Sequence, residues 1–91
     1  MVRARLIIKG RVQGVFYRYS TERKAQSIGG LTGWVKNLPN GDVEVLVEGK
    51  KEKIDRLIEW CYEGPPSSRV TDLITNWEDY KGEFSDFTIS Y

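Results

Sequence analysis

Two short stretches of this chain hold residues that could do chemistry together. One is GRVQGVFYR, Gly10 to Arg18, which sets two glycines ahead of an arginine. The other is Asn37, two residues before Pro39-Asn40-Gly41. A connection leading into a helix exposes backbone N–H groups that have no helical partner. Glycine lets such groups converge into a concave nest, and the helix dipole adds partial positive charge there. The forked guanidinium of Arg18 can hold two phosphate oxygens at once. The loop is therefore either a plain turn or a cradle for a phosphate. It is not a Walker loop, because no Gly-Lys-Ser/Thr follows, and it lacks the GxGxxG of a dinucleotide site. Asn37 has the same two readings. It is a turn residue, or an amide that donates and accepts and so orients a water without exchanging a proton.

Composition narrows the chemistry. The chain has 91 residues, room for one domain, and 40% hydrophobic against 30% charged residues suits a folded globular protein. The formal net charge is +1, so no bulk attraction to nucleic acid or an anionic membrane is expected. Any anion site must come from local placement. Histidine is absent. That removes the usual general base and the commonest metal ligand, and rules out Ser-His-Asp and Cys-His mechanisms. The single cysteine, Cys61, excludes an internal disulfide and suits a reducing, cytoplasmic setting. The N-terminal apolar run is too short and too interrupted by charge for a leader or a membrane span.

The elements that must position these residues follow from periodicity. Residues 3–12 alternate, with Ala4, Leu6, Ile8 and Val12 on one face and Arg3, Arg5, Lys9 and Arg11 on the other, as in a half-buried strand. From about Ser20 the period changes. Thr21, Ala25 and Ile28 predict a helix with one buried stripe, stopped by Gly29-Gly30. Residues 31–38 and 42–48 predict two strands joined at Pro39-Asn40-Gly41, whose Asn-Gly tolerates positive φ. A second helix is expected over Lys51–Tyr62, with Ile54, Leu57, Ile58 and Cys61 on its stripe, ended by Gly64-Pro65-Pro66. Val70–Tyr80 reads as a fourth strand. Phe87, Ile89 and Tyr91 alternate in a short fifth one. The order is βαββαβ with an extra strand: an α+β, ferredoxin-like sandwich, an antiparallel sheet with both helices on one face. In that topology the first two strands run the same way. The glycine loop and Asn37 then meet at one edge of the sheet.

Here the residues carry a resemblance. GRVQGVFYR resembles the first signature of the acylphosphatase family, and GWVKNLPNGDVEVLVEG, Gly33 to Gly49, resembles the second, spacing included. GPPSSRV and the ending FSDFTISY are also similar to that family, so the likeness spans nearly the whole chain. It implies one acylphosphatase-like domain over residues 1–91. It implies hydrolysis of the carboxyl-phosphate bond of acyl phosphates, giving a carboxylate and inorganic phosphate. Arg18 is implied to bind the phosphate with the loop Gln13, Gly14, Val15, Phe16 and Tyr17. Asn37 is implied to place the attacking water. No metal or cofactor is implied, and a small-molecule acyl phosphate is the implied partner, with no nucleic acid, no membrane and a monomeric state. The chain departs from the family's usual spacing by one extra residue at Gly29-Gly30, expected at the far end of the sheet from Arg18.

The chemistry agrees with a histidine-free chain. An acyl phosphate is a mixed anhydride whose leaving group is a stabilised carboxylate. Phosphoryl transfer needs mainly positioning and electrostatic stabilisation. Other residues carry simpler readings. Cys61 belongs to the apolar stripe of the second helix. Ser67 and Ser68 are turn residues without an activating histidine, and Trp34, Trp60 and Trp77 are packing groups. The row Arg3, Arg5, Lys9, Arg11 reads as a solvated strand face. It also supports a rival, a non-catalytic phosphate- or RNA-binding ferredoxin-like module, although no aromatic RNA-binding motif accompanies it.

Overall fold

The computed structural model describes residues 1–91. Its elements are β1 (Val2–Arg11), α1 (Tyr17–Ile28), β2 (Thr32–Asn37), β3 (Val43–Gly49), α2 (Lys51–Glu63), β4 (Arg69–Glu78) and β5 (Phe87–Ile89). They form one five-stranded sheet in the order β4-β1-β3-β2-β5. The first four strands pair antiparallel, and β5 joins β2 parallel, so the sheet is mixed. No helix is long and apolar enough to cross a membrane.

The alternation in the strands fixes which face is covered. Ala4, Leu6 and Ile8 of β1 lie opposite Val47, Val45 and Val43 of β3, and all six are fully buried beneath the helices. The helices meet that face with matching stripes, Tyr17, Thr21 and Ala25 from α1 and Ile54, Leu57 and Cys61 from α2. Full burial of a side chain such as Ile54 or Leu57 contributes about 1.5–3 kcal/mol.

Three expectations are corrected. First, α1 begins at Tyr17, not near Ser20. Tyr17 extends the buried stripe one turn upstream, and its hydroxyl donates to the Cys61 carbonyl at 2.6 Å. Arg18 is therefore a residue of the first helical turn. Second, the last strand ends at Ile89. Tyr91 lies outside it and is 96% exposed.

Third, most of the basic row is paired with carboxylates rather than solvated; only Arg11 is exposed without an ion pair. Arg3 is buried against Glu48 at 3.0 Å, Arg5 pairs with Glu44 at 2.7 Å and Glu78 at 3.0 Å, and Lys9 pairs with Asp42 at 2.8 Å. The chain between β4 and β5 crosses this face as a strap. The N–H groups of Lys81 and Gly82 donate to Glu48 at 2.8 and 3.4 Å, Glu83 binds the Arg3 guanidinium, and the Phe84 ring lies 5.4 Å from it. Burial opposes the Arg3 charge, but Glu83 and Glu48 outweigh it and raise its pKa. Arg5, hydrogen-bonded to Glu44 and Glu78, is raised likewise.

Candidate active site

Register decides where Asn37 points. It sits opposite Val43, as does Ile8 on the other side, so the three share the helix-covered face at one end of the sheet. β1 leaves the sheet at that same end. Its last residues shift register against β4 at Gly10, whose φ of 123° and 2.1 Å virtual Cβ distance to the Arg69 carbonyl oxygen demand glycine. The chain then turns through residues 12–16 into α1.

Two side chains brace that turn. Gln13 donates from Nε2 to the carbonyls of Leu38 and Asp42, both at 2.8 Å, so it stitches the loop to the β2–β3 turn. Ser67 donates from Oγ to the Val15 carbonyl at 2.9 Å. Ser67 was thus more than the turn residue its sequence suggested. Both serines keep the expected turn position, with Ser68 also bonded to the Pro65 carbonyl at 2.7 Å. The partners of Ser67 lie 52 residues apart in the chain, so no local pattern signals the contact.

Between the braces the backbone is left-handed twice, at Gly14 (φ 71°) and at Phe16 (φ 64°, ψ 20°). Gly14 takes this freely, while a non-glycine residue such as Phe16 bears a cost of about 1–2 kcal/mol. Phe16 is the N-cap of α1 and offers no side-chain cap, and the first turn holds no acidic residue. The first N–H accounted for is that of Ser20, bonded to the Phe16 carbonyl at 3.0 Å. The N–H groups from Gly14 to Tyr19 therefore have no protein acceptor. They collect at the positive end of a helix dipole, where an anion is favoured.

A cleft of about 380 Å³ opens at this point. Gly14, Phe16, Tyr17, Arg18, Tyr19 and Asn37 line it, with Val12, Ile89 and Tyr91. Arg18 is its one charged side chain, and no Asp, Glu or Cys side chain lines it. The guanidinium carbon lies 5.2 Å from the centre of the Tyr91 ring. Asn37 Oδ1 is buried and has no hydrogen-bond partner. Tyr17 contributes backbone and ring. Burial, with the Cys61 contact, holds its phenol well above the usual value, so it is no acid or base here. Burial likewise pushes the Cys61 thiol up to about 12, in keeping with a core residue.

Of the residues singled out from sequence, Gly14, Phe16, Tyr17, Arg18 and Asn37 meet in this cleft. The Gln13 side chain and the Val15 side chain do not. The first is spent on the hairpin, and the second is buried. Tyr19, Ile89 and Tyr91 join the cleft unannounced. Ile89 is carried there by the parallel pairing of β5, opposite Val35. Gly29 and Gly30 lie beyond the far end of α1, as expected for the extra residue.

Comparison with known proteins identifies the family. A profile of the acylphosphatase family matches residues 4–89. The chain is 50% identical to an acylphosphatase of Aeropyrum pernix, across all of this chain and 90% of that one. It is 49% identical to an acylphosphatase of Methylococcus capsulatus, across 98% and 96% of the two chains. The crystal structure of acylphosphatase from Bacillus subtilis superposes with a TM-score of 0.95 at 37% identity, each chain covered completely. With fold, length and sequence agreeing from end to end, the chain belongs to the acylphosphatase family and is an acylphosphatase.

Proposed function

We propose that this chain hydrolyses acyl phosphates with Arg18 and the N–H groups of the loop Gln13–Arg18 holding the phosphoryl group and Asn37 holding the attacking water. The observation that carries the division of labour is the buried, unpartnered Oδ1 of Asn37, in the same cleft as Arg18. A buried acceptor without a partner costs about 1–3 kcal/mol, and a water that donates to it removes that cost. The water oxygen attacks phosphorus, the bond from phosphorus to the acyl oxygen breaks, and its electron pair leaves with the carboxylate. One water proton passes to a phosphoryl oxygen of the substrate, since no Asp, Glu or Cys side chain lines the cleft to take it. The products are a carboxylate and inorganic phosphate. The chain is proposed to act as a monomer in the cytoplasm, as expected from the sequence, and the buried lone thiol suits that reducing setting.

Benzoyl phosphate hydrolysis in chelator-treated buffer tests the reading, with wild type, Arg18→Ala and Asn37→Ala compared. Fast wild-type turnover with both variants crippled is expected. The rate should follow ionisation of the substrate phosphate. A profile governed by one enzyme carboxylate, and abolished when that Asp or Glu is replaced, would overturn the proton route.

A further inference from the structure

We infer that the cleft carries a second subsite, an aromatic rim formed by Phe16 and Tyr91, that selects acyl phosphates with a flat, uncharged acyl group. This rests on the phosphate assignment above. A cleft of about 380 Å³ lies within the range of roughly 300–1,000 Å³ that holds small organic ligands, more than a phosphoryl group fills. Its guanidinium and side-chain amide come from Arg18 and Asn37, beside the Gly14 backbone. The remaining lining is Phe16, Tyr19, Ile89 and Tyr91 with Val12 and Tyr17. Phe16 is 77% exposed while its backbone is left-handed, and Tyr91 is 96% exposed. Neither ring is spent on the core.

The acyl group is joined to the phosphoryl group through a single oxygen, so a phosphate seated at Arg18 delivers it to whatever borders that seat. Tyr91 borders it directly, 5.2 Å from the guanidinium carbon, and Phe16 closes the loop that forms it. A planar acyl group finds aromatic faces there. An acyl group bearing a second anion finds no cation, because Arg18 is already engaged.

The test measures kcat/KM for benzoyl phosphate and for acetyl phosphate in wild type, Phe16→Asn and Tyr91→Ser. Asparagine tolerates the left-handed backbone, so Phe16→Asn removes the ring without forcing the loop. The readout is the benzoyl-to-acetyl ratio, in which the intrinsic reactivities of the two anhydrides cancel between variant and wild type. Each variant should lower that ratio about fivefold, the order expected for one lost aromatic contact, chiefly through KM for benzoyl phosphate. An unchanged ratio would overturn the inference. That includes the case where both substrates slow equally because Tyr91 merely steadies Arg18. Failure of the underlying phosphate assignment has another signature: Arg18→Ala would retain wild-type turnover on both substrates.

Discussion

Arg18 and Asn37 sit in one cleft, and the proposed mechanism gives them different moments of the reaction. As proposed, Arg18 meets charge on the transferring phosphoryl group, in the ground state and more strongly in the transition state. Replacing it by alanine should raise the barrier by about 3–4 kcal/mol, the scale of losing one positioned donor, and should also weaken competitive inhibition by inorganic phosphate. Arg18→Lys should recover only part of the loss, because a point charge cannot reproduce the fork. In the proposed mechanism Asn37 touches the water and not the phosphate. Asn37→Ala should therefore depress kcat while leaving phosphate inhibition close to wild type, and Asn37→Asp should fail for a further reason, placing a negative charge beside an anionic substrate. Phosphate inhibition constants measured beside kcat separate the roles. Equal weakening of phosphate binding in both alanine variants would show the roles are wrongly assigned.

At the scale of elements, the site depends on a loop and a hairpin from different parts of the chain being held together, and Gln13 does the holding. Its amide spans the Leu38 and Asp42 carbonyls across the mouth of the β2–β3 turn. Gln13→Ala should cost about 1–2 kcal/mol of unfolding free energy by urea titration, the net worth of two hydrogen bonds, together with a several-fold fall in kcat/KM. A loss of activity with stability untouched would mean that Gln13 reaches the substrate instead. The sequence showed much of this arrangement and hid some of it for identifiable reasons. The alternation Ala4, Leu6, Ile8 against Val43, Val45, Val47 is strictly local and legible, and with the glycine loop it places Arg18 and Asn37 at one sheet edge. The start of α1 was misjudged because Tyr17 looks like a loop residue until the Cys61 carbonyl, 44 positions away, is known to receive its hydroxyl. Tyr91 continued the alternation of Phe87 and Ile89 yet left the strand. A period of two says which residues share a face, not where pairing ends. The same limit hid the basic row. Period two put Arg3, Arg5 and Lys9 together, but only tertiary pairing shows that acidic partners neutralise them.

Across the whole molecule, the two faces of the sheet are closed by different means, the inner one by helices and the outer one by a charged seam under a strap. That closure also neutralises most of the basic row on which an RNA-binding reading depended, leaving Arg11 exposed and unpaired. The seam has a buried part and an exposed part, and they should behave differently. Glu48 has a side chain with no exposed surface, and it accepts from Arg3 and from the strap's Lys81 N–H. Breaking a buried pair by removing one partner leaves the other uncompensated. Glu48→Gln should thus destabilise the fold by about 3 kcal/mol, the low end of the usual range because Arg3 retains Glu83. Glu83 sits at the exposed end, where its hydrogen bond from Arg3 holds its carboxyl below the usual value of 4.5. A carboxyl lowered in the folded state stabilises the fold above its unfolded pKa, and that contribution disappears as pH falls through the folded value. Glu83→Gln should therefore change little at high salt and neutral pH, where exposed pairs are screened, but should flatten the acid limb of stability against pH. Urea titrations of wild type and Glu83→Gln from about pH 6 down to about pH 3 would show this. If the two acid limbs superpose, the carboxyl of Glu83 adds nothing, and the strap is held by its N–H bonds to Glu48 and the Phe84 ring against Arg3.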